Sequence, residues 1–191
     1  MSVHEVVGGS GLVGRIPCMK ALILDRDGLL IENVPYLDDV RLIQPIASVR
    51  EALELARAAG LRLAVVTNQS GIGRGIIRES DVERVNRCVD AELGPFDVWE
   101  VCPHAPDDGC VCRKPAPGLV LAAAGRLDLD PVACTVIGDR LTDVAAANSA
   151  GTLGVLVPSE DTPMVERRAS RLVFSSLLDA VISLTRQRVE C

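Results

Sequence analysis

From residue 20 onward, short unbroken apolar runs alternate with stretches in which apolar residues recur every three or four positions. The run Ala21-Leu22-Ile23-Leu24 has the character of a strand covered on both faces, where no polar alternation is needed. Val49, Leu53 and Ala56 then recur at helical spacing, and Gly60 supplies a stop. The same grammar repeats along the chain. It predicts strands over residues 61–66, 97–101, 135–137 and 153–157. Helices are predicted over 79–93, with Ser80 or Asp81 near the cap, over 117–127 with a proline in the first turn, over 142–149 and over 175–188. Strands separated by single helices imply a parallel, doubly wound α/β sheet with right-handed crossovers. In such sheets ligands bind beyond the carboxyl ends of the strands. The polar motifs fall at those ends.

Composition sharpens this picture. A chain of 191 residues with 48% hydrophobic and 24% charged residues has the makings of one ordered domain. Aromatics contribute 2%, so the core is built from Leu, Val, Ile and Ala. A formal charge of −6 argues against a nucleic-acid surface, which needs a basic field. No apolar run is long enough to span a bilayer, and the first residues lack a signal peptide's basic start and long apolar run. The expectation is a monomeric cytoplasmic protein: a Gly-rich extension over 1–18 and a single domain over 19–191. The extension holds a formal G-x-G-x-x-G match at residues 9–14, but Pro17 and the next strand follow too soon for the helix that a dinucleotide site requires.

Three regions carry chemistry. Asp25-Arg26-Asp27-Gly28 leaves the first strand with two carboxylates at i and i+2, which suits Mg2+ or a nucleophile beside an acid/base; a solvated turn fits the tetrapeptide equally well. After the second strand, the loop from Thr67 to Gly75 offers hydroxyls, amides and backbone N–H groups, the materials of a phosphate cradle. Gly138-Asp139-Arg140 with Asp143 adds further acid. Three acidic sites on three strand ends would converge, and a divalent cation is the economical way to hold them together. The third region is Cys102-Pro103-His104 followed by Cys110-Val111-Cys112. One imidazole and three thiolates form a closed tetrahedral set of the structural Zn2+ type, with disulfides or free thiols as the alternative. Cys18, Cys88, Cys134 and Cys191 lack such company and read as core or surface thiols. Of the 20 basic residues only Lys20 and Lys114 are lysines. Lys114, with Arg113, directly follows the cysteine loop, placed either to meet a phosphate or as a charged loop tip.

These motifs occur together in the order found in haloacid-dehalogenase-like phosphohydrolases. Over residues 20–157 the chain resembles the branch containing heptose bisphosphate and histidinol phosphatases. The resemblance implies a Rossmann-like phosphohydrolase fold with a small zinc loop in place of a large cap domain. It implies Asp25 as nucleophile, Asp27 as general acid/base, and Thr67, Arg113 and Lys114 as further catalytic groups. Mg2+ would be held by Asp25, the Asp27 carbonyl and Asp139, and structural Zn2+ by Cys102, His104, Cys110 and Cys112. Substrate contacts would come from Arg26, Asn33, Tyr36, Asn68, Gln69, Ser70, Arg113, Lys114 and Arg140. The sequence Thr67-Asn68-Gln69-Ser70 leans to the heptose enzymes, since histidinol phosphatases usually carry Asp after Gln. The implied partner is therefore a small phosphorylated sugar, cut at its 7-phosphate through an aspartyl-phosphate. Histidinol phosphate or another small ester is the alternative, and a zinc-stabilised non-catalytic binding module is the reading from another class. Leu29 stands where Thr or Val is usual, and Asn33-Val34-Pro35-Tyr36 lacks the usual glycine before tyrosine.

Overall fold

A computed structural model describes residues 19–187. The glycine motif, Cys18, Cys191 and the last residue of the predicted final helix lie outside the described residues.

Five strands form one parallel sheet: β1 (Ala21–Leu24), β2 (Arg62–Asn68), β3 (Val98–Cys102), β4 (Cys134–Gly138) and β5 (Leu153–Leu156), in the order β3-β2-β1-β4-β5. Period-two alternation feeds two separate cores. Leu22 and Leu24 of β1, with Leu63 and Val65 of β2, face α1 (Val49–Ala58), α3 (Glu79–Leu93) and α7 (Leu177–Gln187). Ala21, Ile23, Ala64 and Val66 point the other way, onto α4 (Gly118–Arg126) and α5 (Leu141–Ser149). Two further helices are short: α2 (Ser70–Gly73) and α6 (Met164–Ala169).

Helix α1 shows how local sequence sets the packing. Val49, Ala52, Leu53 and Ala56 are its buried residues, one stripe at i, i+3, i+4 and i+7. Truncating Leu53 to Ala would cost about 2–5 kcal/mol. The stop is a Schellman arrangement: Leu61 N–H donates to Ala56 O at 3.0 Å and Gly60 N–H to Arg57 O at 2.9 Å, with Gly60 at φ +72°.

Asp81 lies near the cap of α3 as expected: Arg78 is the N-cap residue, and its N–H donates to the Asp81 carboxylate at 3.3 Å. Three expectations need correction. The stretch from Thr67 to Gly75 is not all loop, because Ser70–Gly73 closes one helical turn. The third strand starts at Val98, one residue late, since the Asp97 carboxylate turns back to accept from Leu63 N–H at 2.7 Å. Pro117 caps α4 rather than opening its first turn.

The chain leaves β1 in one direction toward β2 and β3, and returns to place β4 and β5 on the other side. The reversal of strand order lies at β1 and β4, where a ligand crevice is expected. No second domain is inserted among the described residues; the connection from β3 to α4 is the loop carrying the cysteines. No helix among them is long and apolar enough to cross a membrane.

Candidate active site

The tips of β1, β2 and β4 open into a cleft of about 230 Å³. Asp25, Arg26, Asp27, Asn33, Tyr36, Thr67, Asn68, Gln69, Ser70, Lys114, Asp139 and Arg140 all line it. Arg113 does not. The carboxylates come from two strand ends, not three: Asp25 and Asp27 follow β1, Asp139 and Asp143 follow β4, while β2 contributes hydroxyl and amide groups. Oxygen atoms of Asp25, Asp139 and Asp143 lie within 4.8 Å of one another. Gly28 is required at this junction twice over. Its φ is +83°, and a Cβ there would run into the Asp139 carboxylate.

Lys114 organises the centre. Its side chain is 2% exposed, and its ammonium stands 2.7 Å from Asp25 Oδ1, 2.6 Å from Asp143 Oδ1 and 2.9 Å from Val66 O. The compact ammonium donates to Asp25 and to the Val66 carbonyl and is ion-paired with Asp143, a placement that a forked, planar guanidinium does not reproduce. Burial opposes the charge, but the Asp143 and Asp25 carboxylates outweigh it and hold the Lys114 pKa above its ordinary value. Asp25 shows the opposite balance. Burial pushes it up to about 7 despite Lys114, with Asp143, Asp139 and Asp27 adding repulsion. Burial likewise raises Asp139 to about 6, against the hydrogen bond from Ser159.

Four carboxylates crowd the cleft, Lys114 standing as buried counter-charge to Asp25 and Asp143 and Arg26 to Asp27, and two of the four resist ionisation. Hard oxygen donors under that strain fit a divalent cation of the Mg2+ type.

Asp27 is gripped by its neighbours. Arg26 donates from Nε to Oδ1 and from Nη2 to Oδ2, both at 3.0 Å, and Gln69 Nε2 donates to Oδ2 at 2.8 Å. Gln69 also donates to Thr67 Oγ1 at 2.8 Å, which fixes that hydroxyl over the cleft floor. Four residues expected on substrate line the cleft and also contact protein. Arg26 is 1% exposed and reaches Asn86 as well as Asp27. Asn68 accepts from Lys114 N–H and donates to Lys114 O, each at 3.1 Å, bracing the backbone that carries the lysine. Asn33 donates to Asp161 at 3.0 Å, and the Tyr36 hydroxyl accepts from Arg74 at 2.9 Å.

The Cys102, His104, Cys110 and Cys112 donors converge beside this cleft. Sulfur–sulfur separations run from 3.3 to 3.7 Å, and His104 Nδ1 lies 3.2 Å from Cys112 Sγ. Disulfide sulfurs would sit at about 2.05 Å. Tetrahedral ligands at Zn–S distances of about 2.3 Å would stand about 3.7 Å apart, so the spacing suits a metal. Burial pushes the Cys102 thiol up to about 12, so a cation is what would bring out its thiolate. Gly73 seats the loop: its N–H donates to Pro103 O at 2.7 Å, and a Cβ would stand 2.6 Å from Ala105 N. Arg113, on the far side of the loop, lines an adjoining cavity with Cys110, Pro115 and Thr142. Its Nη1 is buried without a partner.

Sequence reasoning did not single out Asn86, Ser159, Thr162 or Glu166. Ser159 Oγ donates to Asp139 Oδ2 at 2.8 Å, Thr162 Oγ1 donates to Asp139 O at 2.7 Å, and Glu166 pairs with Arg140. For Ser159, Thr162 and Glu166 the signal was positional, since they follow β5, next to β4 in the sheet; Asn86, within α3, carried none.

A HAD-hydrolase-like family model matches residues 111–180. The D-glycero-beta-D-manno-heptose-1,7-bisphosphate 7-phosphatase of Photorhabdus laumondii is 35% identical over 174 residues, covering 84% of this chain and 93% of that protein. The enzyme of the same name from Escherichia coli K12 is 33% identical over 183 residues, covering 89% and 96%. The crystal structure of D,D-heptose 1,7-bisphosphate phosphatase from B. bronchiseptica, complexed with magnesium and phosphate, superposes with a TM-score of 0.80 at 29% identity, covering 88% of this chain and 99% of that one. Parallel sheet, strand-end carboxylates and near-full-length kinship agree: the chain belongs to the HAD-like hydrolases and is a phosphoric monoester hydrolase of that family.

Proposed function

We propose that the protein removes the 7-phosphate of D-glycero-β-D-manno-heptose 1,7-bisphosphate through an aspartyl-phosphate on Asp25. The carrying observation is Asp25 itself: a buried carboxylate at the tip of the central strand, held at 2.7 Å by a lysine that a second buried carboxylate also anchors. The near-full-length kinship supplies the substrate.

In this reading Asp25, the Asp27 carbonyl and Asp139 hold Mg2+, which when bound supplies positive charge to the nucleophile and the incoming phosphate together. Asp25 Oδ attacks phosphorus and the ester oxygen leaves. Asp27 acts as the general acid and gives that oxygen a proton. The resulting Asp27 carboxylate is what the Arg26 fork and the Gln69 amide are arranged to hold. Water then attacks the aspartyl-phosphate while Asp27 takes its proton, which restores both residues. Lys114 and the Thr67 hydroxyl bind the transferring oxygens and stabilise charge as it spreads over them. Cys102, His104, Cys110 and Cys112 would hold a Zn2+ that ties the loop together, and the loop carries Arg113 and Lys114 on one support. Arg113, with its unpartnered Nη1, turns toward the sugar once substrate is present.

A primary phosphate on a side arm can reach the cleft floor while the ring stays outside, because no large cap covers the entrance. Phosphorus NMR of the product decides the matter. A surviving anomeric phosphate is expected; a surviving primary phosphate, or a higher kcat/KM for histidinol phosphate, would overturn the substrate assignment.

A further inference from the structure

After β5 the chain crosses back over the strand ends as a strap before entering α7. Three contacts tie this strap to the cleft. Ser159 and Thr162 hold the side chain and the carbonyl of Asp139. Arg167 locks the strap to itself, donating from Nε to Thr162 O at 3.1 Å and from Nη2 to Ser159 O at 2.6 Å. Glu166, from the turn so fixed, takes one edge of the Arg140 guanidinium: Nε at 3.2 Å and Nη2 at 2.8 Å. Glu166 also accepts from Leu141 N–H at 2.7 Å, at the start of α5.

The geometry of that pair is directional. A carboxylate gripping Nε and Nη2 leaves Nη1 of Arg140 without a protein partner, on a side chain that lines the cleft next to Asp139. An arginine on an exposed rim would otherwise sample many rotamers, and that freedom would be lost each time an anion bound. We propose that Glu166 is a positioning residue, which presents Arg140 Nη1 to a phosphate oxygen on the Asp139 side of the cleft. The proposal rests on the phosphatase reading but not on the identity of the sugar.

The strap makes this a fixed device, since the same hydrogen-bonded unit places Asp139 and Arg140 together. Removing the carboxylate frees the guanidinium while leaving Asp25, Asp27, Thr67 and Lys114 untouched. The cost should therefore appear in binding far more than in turnover.

The test compares Glu166→Gln, Arg140→Ala and the double variant. Its readouts are the Kd for inorganic phosphate in the presence of Mg2+, KM and kcat on the substrate, and Tm. Glu166→Gln is expected to weaken phosphate binding and raise KM roughly tenfold, with kcat changed by less than about threefold, the scale of one charge-assisted hydrogen bond. In the Arg140→Ala background it should add no further change to phosphate binding. Any fall in Tm from the lost Leu141 contact should persist there, which separates structural support from positioning. Should Glu166→Gln fail to fold, Glu166→Asp keeps the charge while withdrawing it by one methylene, and carries the same test. A Glu166 variant that lowers Tm alone, or that weakens phosphate binding equally with Arg140 absent, overturns the proposal. A wild-type protein that binds phosphate but leaves the heptose bisphosphate intact would instead sink the substrate assignment and leave this inference standing.

Discussion

Two ligand clusters sit side by side above the same sheet, and they are built on opposite principles. The Cys102, His104, Cys110 and Cys112 set spans eleven residues, offers soft donors, and closes four positions on itself. The Asp25, Asp139 and Asp143 set draws on residues more than a hundred positions apart, offers hard donors, and stays open to a cleft. A closed set leaves no coordination site for chemistry, so its work is mechanical. An open set of crowded carboxylates is poorly stable alone and suited to neutralising an anionic substrate. The joint between them is two residues long, from Cys112 to Lys114. Structural rigidity on one side is delivered as a placed ammonium on the other.

The sharpest way to break that division is Asp25→Asn. An amide is a poor nucleophile and a weak ligand for a hard cation, so turnover should fall by about three orders of magnitude or more. Removing one of several mutually repelling carboxylates should leave Tm unchanged or higher. Steady-state kinetics alongside a thermal melt checks both halves. Turnover near the wild-type level would end the nucleophile assignment.

Cys112→Ser attacks the other cluster and should show the converse pattern. Loss of one of four ligands is expected to abolish stoichiometric zinc and lower stability by about 3 kcal/mol, or roughly 6–12 °C in Tm. Activity should drop too, because Lys114 loses its support. Elemental analysis of the purified protein is the direct check, with about one zinc per wild-type chain expected. A disulfide among these cysteines would refute the metal assignment.

The third effect is smaller and concerns pH. Asp25 and Asp139 are raised to about 7 and about 6 from ordinary values of 3.8. With the folded pKa above the unfolded one, these groups favour the folded state fully below about pH 4, and the contribution is lost as pH climbs through 6 and 7. Mg2+ takes the ionised carboxylates and reverses that loss. The rise in Tm on adding Mg2+ should be larger at about pH 8 than at about pH 5, and calorimetry at the two values reads it. Equal shifts would mean that the cation binds elsewhere.

How far the sequence carried this picture depends on whether the signal was local. All five strands were legible because buried parallel strands are unbroken apolar runs, and helix α1 because its stripe and its Gly60 stop lie within a dozen residues. The ligand clusters were legible from donor type and spacing. What could not be read was direction. Arg26 sits between two aspartates in sequence, yet nothing local says that its guanidinium turns inward to Asp27 and Asn86. The strap after β5 was invisible for a related reason. Ser159, Thr162 and Glu166 are ordinary surface residue types, and they acquire meaning only when the strap is folded against Asp139 and Arg140.

Arg113 tests the joint between the clusters with the finest effect. It follows Cys112 directly but stands outside the cleft lining, with Nη1 buried and unpartnered. An unsatisfied buried guanidinium nitrogen is costly, so a ligand or a modest rotation that satisfies it is favoured. A substrate large enough to reach past Lys114 can supply the acceptor; a small ester cannot. Arg113→Ala should therefore raise KM for the heptose bisphosphate by about fivefold to tenfold, the scale of one charged hydrogen bond, while KM for p-nitrophenyl phosphate stays within about twofold. Zinc content and Tm should hold, since the side chain is not a ligand. If both substrates lose affinity alike, Arg113 acts through the placement of Lys114 rather than on the sugar, and the two clusters are coupled more tightly than their separate chemistries suggest.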